Sequence, residues 1–567
     1  MSAPGGPAVE RRVRDAYARL AEVDRPEVWI ALRPQEEVLA EARGVDPALP
    51  LAGVLVAVKD NIDVAGLPTT AGAPSFSYEP AADATAVARL RAAGALVLGK
   101  TNLDQFATGL VGTRSPHGAV RNAFAPERIS GGSSSGSAVA VALGVVDVAL
   151  GTDTAGSGRV PAALQGIVGV KPTRGLVPTT GVVPACRSLD CVSVFARELG
   201  LARRTAELLE GPDGLDPLAR TGAQPPAPAA APRVAVPTAE HLTGLADGWA
   251  QAFAAVVARL RASGAEVVEV DVAPLLQAAS LLYGGAFVAE RTAAVGEHVA
   301  AHPELVGTGL DPVVAAIVRG GEAFSAVDVF RDQQRLAELG AAGRAALAGT
   351  DALLTPTTTW HPTLAQVAAD PVGANARMGR YTNFANLLDM ASLAVPAGPV
   401  GGLPFGVMLT GPAFSDRVLA QLARRLAEPE VELFVVGAHL SGQPLNHELV
   451  AAGATRVGPA RTAAQYRLFA LDTVPPKPGL VRSTDGESIS GEVWRLPAAG
   501  FGAFAAAVPQ PLSIGAAVLE DGRTVRSFLA EPLGVRGAED VTAHGSWPAA
   551  LAARAARTEQ AVAASAR

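Results

Sequence analysis

VAVKDNID at Val56–Asp63, SGGSSSGSA at Ser130–Ala138 and GTDTAGSGR at Gly151–Arg159 decide the reading of this chain. They set one lysine and several serines in glycine-rich surroundings, with no histidine among them. Ser-His-Asp chemistry needs an imidazole to take the serine proton. The basic groups in these stretches are Lys59 and Arg159. Arginine stays protonated and cannot serve as a base. A lysine can, if desolvation lowers its pKa until it is neutral. The flank Val54-Leu55-Val56-Ala57-Val58 meets that need, because it is an apolar run of buried-strand type.

Ser157 lies in a glycine-flanked turn, Ala155-Gly156-Ser157-Gly158, where its hydroxyl can stand clear of neighbouring side chains. The backbone amides of Thr154, Ala155, Gly156 and Ser157 can converge on one point as an oxyanion hole. As a linker, GGSSSG would be flexible, yet a predicted helix of small apolar residues, Ser137–Leu150, follows at once. As a phosphate loop it lacks the Gly-Lys-Ser/Thr ending. Taken alone, Lys59 also reads as a solvated lysine at a strand end.

Together the three stretches resemble the amidase signature family, over roughly Val13 to Leu426. That resemblance implies amide hydrolysis by a Ser-cis-Ser-Lys triad. It assigns the base to Lys59, the bridging serine, after a cis peptide, to Ser133 and the nucleophile to Ser157, with the family's spacing of 24 between the serines. Ser135 and Ala155 replace glycines of the family pattern, and Gly158 stands where a bulkier residue is common. All three are small, so the triad is kept.

The 567 residues are too many for one ordinary domain. With 49% hydrophobic and 18% charged residues, composition permits a large buried core. A net charge of −7 and the lack of a Lys/Arg run argue against nucleic acid as a partner. MSAPGGPAVERRVRDAYARL has no apolar signal-peptide core and reads as a short disordered lead into an amphipathic helix. No apolar stretch reaches the length of a membrane span. Cys186 and Cys191 suit a cytoplasmic protein and read as packing residues. The eight histidines show no metal-binding spacing, so no metal or other cofactor is implied. The expected assembly is a homodimer.

Short apolar strands alternate with helices up to Leu426, which gives the α/β class: a large domain, residues 1–430, with a mixed central sheet covered by helices. The Pro/Ala segment Thr221–Pro232 reads as an exposed loop within it. A helix over Asp416–Leu426 ends it. From Leu433-Phe434-Val435-Val436-Gly437 the character changes. Strands such as Tyr466–Leu471, Gly491–Leu496 and Arg523–Leu529 alternate with Pro/Gly turns, making a second domain over residues 431–567. Its opening, FVVGAHLSG, resembles the γ-glutamylcyclotransferase-like fold and implies a small mixed α+β, barrel-like domain.

In SLLYGGAFVAER, Tyr283 and Arg291 lie eight apart, about 12 Å along a straight helix at about 1.5 Å per residue. The Gly284-Gly285 pair and the long arginine stem can close that gap. A guanidinium fork and a phenol suit a small planar carboxylate, although a helical Tyr and Arg are by pattern alone more often structural. The segments Thr101–Gly118, Asp153–Gly175 and Val183–Arg197 resemble one branch of the family, the allophanate hydrolases. That branch implies that Tyr283 and Arg291 hold the carboxylate of allophanate. It further implies that the second domain aids decarboxylation of the product, with His439 as its catalytic residue. A turn histidine bonded to its own backbone and the neighbouring His447 remain the alternatives there. The implied role is urea degradation, with a biotin-dependent urea carboxylase as partner, since this chain has no biotin-attachment lysine motif. Other small amides such as biuret or malonamate, or the glutaminase role within a tRNA-linked amidotransferase complex, are the competing substrates and function.

Overall fold

The computed structural model describes residues 6–223, 225, 231–426 and 430–565. The chain divides into two units, Met1–Ala427 and Glu428–Arg567. The lead before the first helix, part of the Thr221–Pro232 loop and the junction at 427–429 lie outside the described residues.

In the first unit, eleven strands of the described residues form one mixed sheet. Trp29–Leu32 is at one edge, followed by Leu96–Thr101, Leu55–Lys59, Val148–Asp153, Cys191–Ala196 and Val168–Lys171. Met390–Val400, Leu403–Pro412, Ala352–Pro356, Arg233–Pro237 and Glu266–Val270 complete it. Leu55–Lys59 runs parallel to both of its neighbours. Its residues alternate between two cores, as the period of a strand requires. Val56 and Val58 pack with Val148 and Leu150 on one face. Leu55 and Ala57 pack with Leu98, Ala149 and the helix Ser135–Ala142 on the other. Being buried on both faces explains why this strand reads as a continuous apolar run.

The expected helix Ser137–Leu150 is corrected. The helix spans Ser135–Ala142, and Val148–Asp153 is a strand. Gly144 turns the chain between them at φ 74°. Beyond it, β-branched Val145, Val146 and Val148 favour extension over helix. The helix Asp416–Leu426 ends where the apolar periodicity does. The N-terminal helix Gly6–Val23 buries Val9, Val13 and Ala16.

The second unit holds a five-stranded sheet, in the order Thr455–Arg461, Ser490–Pro497, Glu430–Val435, Thr524–Ala530 and Leu512–Val518. A three-stranded sheet combines Lys477–Arg482, Tyr466–Leu471 and Glu539–Asp540. Phe434 and Val493 of the first sheet share a core with Tyr466, Leu468 and Leu480 of the second. Among the described residues, no helix is long and apolar enough to cross a membrane.

Candidate active site

Lys59 is the last residue of its strand and is wholly buried. Thr152 lies near the end of the adjacent parallel strand. Both therefore project from the carboxyl edge of the sheet, where open α/β folds place their ligands. Lys59 Nζ lies 2.8 Å from Ser133 Oγ and donates to Thr152 Oγ1 at 2.7 Å. Ser133 Oγ lies 2.9 Å from Ser157 Oγ. The three residues named from sequence thus form one continuous hydrogen-bonded chain. The Gly132–Ser133 peptide is cis. Burial lowers the Lys59 pKa to about 7, against the opposing pull of the Asp104, Asp190 and Asp153 carboxylates. Among the described residues, Lys59 Nζ bonds to hydroxyls and to no carboxylate, so desolvation prevails.

The Ser157 turn is braced by residues that sequence reasoning left without a role. Asp153, at the end of its strand, accepts from Arg159 Nη2 at 2.8 Å and Nε at 2.9 Å, a bidentate and fully buried pair. The Asp153 carboxylate also accepts from the Gly158 amide at 2.9 Å. Arg159 continues to Thr382 O at 3.0 Å and Asn386 Oδ1 at 2.8 Å. The turn is pinned at both ends. The amides of Thr154, Ala155, Gly156 and Ser157 donate to no acceptor among the described residues. That leaves them free for a developing oxyanion. At Gly156, φ is 141° and a Cβ would come 2.3 Å from Thr382 Oγ1, so glycine is required there. Asp190 receives the Thr154 hydroxyl at 2.5 Å and the Ala185 amide at 2.8 Å. Burial raises its pKa to about 6, partly offset by those donors.

Tyr283 and Arg291 do not share a helix. One helix, Ala273–Gly284, ends just after the tyrosine, and another, Ala289–Ala301, carries the arginine. The corner at Gly285 brings Arg291 Nη2 to 3.1 Å from the Tyr283 hydroxyl. The guanidinium also lies 5.1 Å from the phenol ring centroid. Arg291 is buried, and its Nη1 donates to Thr108 Oγ1 at 2.9 Å. No carboxylate of the described residues pairs with it, and its Nε has no partner. Gly109, next to Thr108, places its carbonyl 3.4 Å from Ser157 Oγ. A single step of backbone therefore separates the arginine's contact from the serine's. Local pattern carries no signal for Thr108, because it stands 183 positions from Arg291.

Asp104 likewise escapes sequence reasoning. It accepts from the amides of Gly112 at 3.0 Å and Arg114 at 2.9 Å, and so shapes the loop that carries Gly109. Its TNLDQF context contributes to the family resemblance without giving the aspartate a role. Cys186 and Cys191 are buried and unbridged. Among the described residues, Glu240, His241 and Asp271 bring ligand-type atoms within 4.8 Å of one another, but none of them belongs to the Ser-Lys site.

In the second unit, His439 follows the strand Glu430–Val435. Its ring stacks on Phe528 at 5.0 Å and meets the edge of Phe504 at 5.2 Å. His439 Nε2 lies 2.9 Å from Glu448 Oε2. Burial lowers its pKa, against the pull of Glu448. Nearby, Glu492 accepts from the Ser441 hydroxyl at 2.9 Å and Trp494 Nε1 at 3.1 Å. His447 is exposed, with Nδ1 2.9 Å from Pro444 O. His439 is the histidine of the two that has a side-chain partner and a packed seat.

Residues 12–419 match the Amidase family, and residues 431–552 match the Allophanate hydrolase C-terminal domain. A solved allophanate hydrolase from Kluyveromyces lactis superposes with a TM-score of 0.70 at 40% identity, covering 96% of each chain. Urea amidolyase of Saccharomyces cerevisiae is 43% identical over 92% of this chain, which spans 31% of that protein's length. A glutamyl-tRNA(Gln) amidotransferase component from Thermus thermophilus is 37% identical over 73% of this chain and 93% of its own. The chain therefore belongs to the amidase family of amide-hydrolysing enzymes and carries, beyond its amidase domain, an allophanate hydrolase C-terminal domain.

Proposed function

We propose that this protein is an allophanate hydrolase, which converts urea-1-carboxylate to ammonia and carbon dioxide. The observation that carries the reading is the step from Arg291 through Thr108 and Gly109 to Ser157. The guanidinium and the serine contact adjacent residues, which suits a substrate whose carboxylate stands close to its amide carbon. A buried guanidinium without a carboxylate partner is costly unless an anion arrives to pair with it.

Neutral Lys59 accepts the Ser133 proton as Ser133 accepts that of Ser157, and Ser157 Oγ attacks the terminal amide carbon. The amides of Thr154–Ser157 receive the oxyanion. The proton returns through the relay to the departing nitrogen, and ammonia leaves. Water then cleaves the acyl-enzyme, freeing a nitrogen that bears two carboxylates. Loss of carbon dioxide from that species leaves carbamate, which breaks down to ammonia and carbon dioxide. In this reading His439, buffered by Glu448, supplies the proton that replaces the departing carbon dioxide. The opening FVVGAHLSG and the core shared by two sheets support a γ-glutamylcyclotransferase-like, barrel-like second domain. A cytoplasmic homodimer supplied by a urea carboxylase completes the reading; the urea amidolyases it resembles are about three times its length, which leaves room in them for a second activity.

The test is ammonia release from allophanate and from neutral amides by the wild type and Arg291→Lys. The substitution keeps the charge but loses the fork. Expected is a fall of about 100-fold in kcat/KM on allophanate, with neutral amides within about 3-fold. Equal losses on both would make Arg291 structural and remove the basis for this substrate.

A further inference from the structure

A cleft of about 840 Å³ opens beside Tyr283. Asn375 and Asn383 line it and tie it to the site. Asn375 Oδ1 accepts from the Leu110 amide at 2.7 Å. The Asn383 amide, turned so that its N–H groups face carbonyls, donates to Ala155 O at 2.8 Å. Leu110 follows Gly109, and Ala155 precedes Gly156, so the cleft wall grips both backbone segments that flank Ser157.

Among the described residues lining this cleft, three are arginines, Arg114, Arg377 and Arg380, and none is acidic. None of the three has an ion-pair partner among the described residues. Arg377 is exposed, and its guanidinium carbon lies over Trp360, 3.9 Å from the ring centroid. Its Nη2 donates to Gly244 O at 3.4 Å. Arg380 Nη2 reaches His241 O at 3.5 Å, and its Nε has no partner. Arg114 is buried and donates to Thr108 O at 3.1 Å, so it and Arg291 converge on one threonine. These bonds go to neutral carbonyls. The chain as a whole carries −7, so the positive cleft is a local arrangement and not a bulk property.

We propose that Arg377 and Arg380 form the mouth of an anion-collecting vestibule, with Arg114 deeper in it, that draws small carboxylate-bearing amides to Ser157 and excludes acidic macromolecular surfaces by its size. The proposal rests on the anionic-substrate reading above. A low-dielectric cleft lined by one sign of charge raises the local concentration of the opposite ion and its on-rate by about 10- to 1000-fold, and salt screens the effect. Trp360 holds the Arg377 plane in place beforehand, so little ordering is needed when the anion arrives.

The test compares the full-length wild type with Arg377→Gln/Arg380→Gln, measuring kcat/KM on allophanate and on a neutral amide as salt rises. Expected for the double variant is a fall of about 10-fold on allophanate at low salt, kcat within about 2-fold, and a flattened salt dependence. The neutral amide should be unaffected, and Arg377→Lys/Arg380→Lys should restore most of the salt-sensitive rate. An unchanged salt slope overturns the proposal. So does equal loss on the neutral amide, which would make the arginines props for the 241–244 segment. Calorimetric binding of malonate, the methylene counterpart of the dicarboxylated nitrogen, gives a readout free of turnover. Weaker malonate binding by the double variant supports the vestibule even if allophanate itself is not hydrolysed, which would defeat the functional reading alone. Equal malonate affinity defeats the vestibule.

Discussion

Lys59 in the first unit and His439 in the second are both titratable groups whose pKa is lowered by burial, yet they are built in opposite ways. Lys59 is completely enclosed and touches hydroxyls, while three carboxylates act on it from beyond contact. His439 retains 12% of its side-chain exposure, packs against two phenylalanines that also touch each other and touches a carboxylate directly. The difference reflects the starting chemistry. An ammonium begins about 3–4 pKa units above neutrality and must lose its water, and any ion pair, to become a base. An imidazole begins near neutrality, so a greasy seat and a partner that tunes it suffice. On the proposed relay, the sealed lysine acts on substrate through Ser133 and Ser157. The histidine can present itself.

The sharpest way to break this comparison is Ser157→Ala, which removes the outlet of the sealed base. Amide hydrolysis should fall by at least about 10⁴-fold with the fold intact by circular dichroism, because an activated nucleophile acts as a unit with its base. Retention of more than about 1% of the activity would mean that Ser157 is not the nucleophile.

Next in size is Lys59→Arg. A guanidinium stays charged at any working pH, so a loss of about 10³-fold is expected. On the proposed relay the active form in the wild type is the neutral lysine. Its fraction grows as pH rises through about 7, so kcat/KM should climb across that value and level off above it. A flat profile from pH 6 to 9, in buffers matched for salt, or an active arginine variant, would take the lysine out of the relay.

The smallest effect is expected from His439→Ala. The first ammonia should appear at the wild-type rate, because Lys59, Ser133 and Ser157 are untouched. Carbon dioxide and the second ammonia should lag by about 3- to 10-fold at early times, before spontaneous decarboxylation catches up. Superimposable time courses would leave the second domain without a chemical role and the contrast between Lys59 and His439 without a function.

Much of this was legible in the chain, for reasons that can be named. Ser133 and Ser157 stand in glycine-rich stretches and Lys59 at the end of an apolar run, and it is the combination, with the spacing between the two serines, that resembles the family and singles them out. The helix Asp416–Leu426 was readable because its apolar stripe is regular and polar residues flank it. The strand Leu55–Lys59 was readable because burial on both faces writes an unbroken apolar run. What failed was local continuity. Small apolar residues from Ser137 to Leu150 carry no stripe, so nothing but Gly144 marked where helix gives way to strand. The brace of Asp153 on Arg159 was in plain view, six residues apart, but its purpose lies in Thr382 and Asn386, more than two hundred positions away. Thr108, Asp104 and the arginines of the cleft act through contacts that local pattern does not show. Their residue types are ordinary, and only the folded chain reveals their company.

The corner at Gly285 has a further consequence. Tyr283 and Arg291 are carried by separate helices, and the corner between them is held by the Ala286 amide donating to Asp332 at 2.6 Å. A Cβ at position 285 would come 2.6 Å from that same carboxylate. The reach between phenol and guanidinium is thus an angle, set by Gly285 and Asp332 and not by the pair itself. A lineage could exchange one small amide for another by altering 285 or 332 while every residue that touches the substrate stayed the same. Preference would then drift through a joint, and comparison of pocket residues alone would miss it.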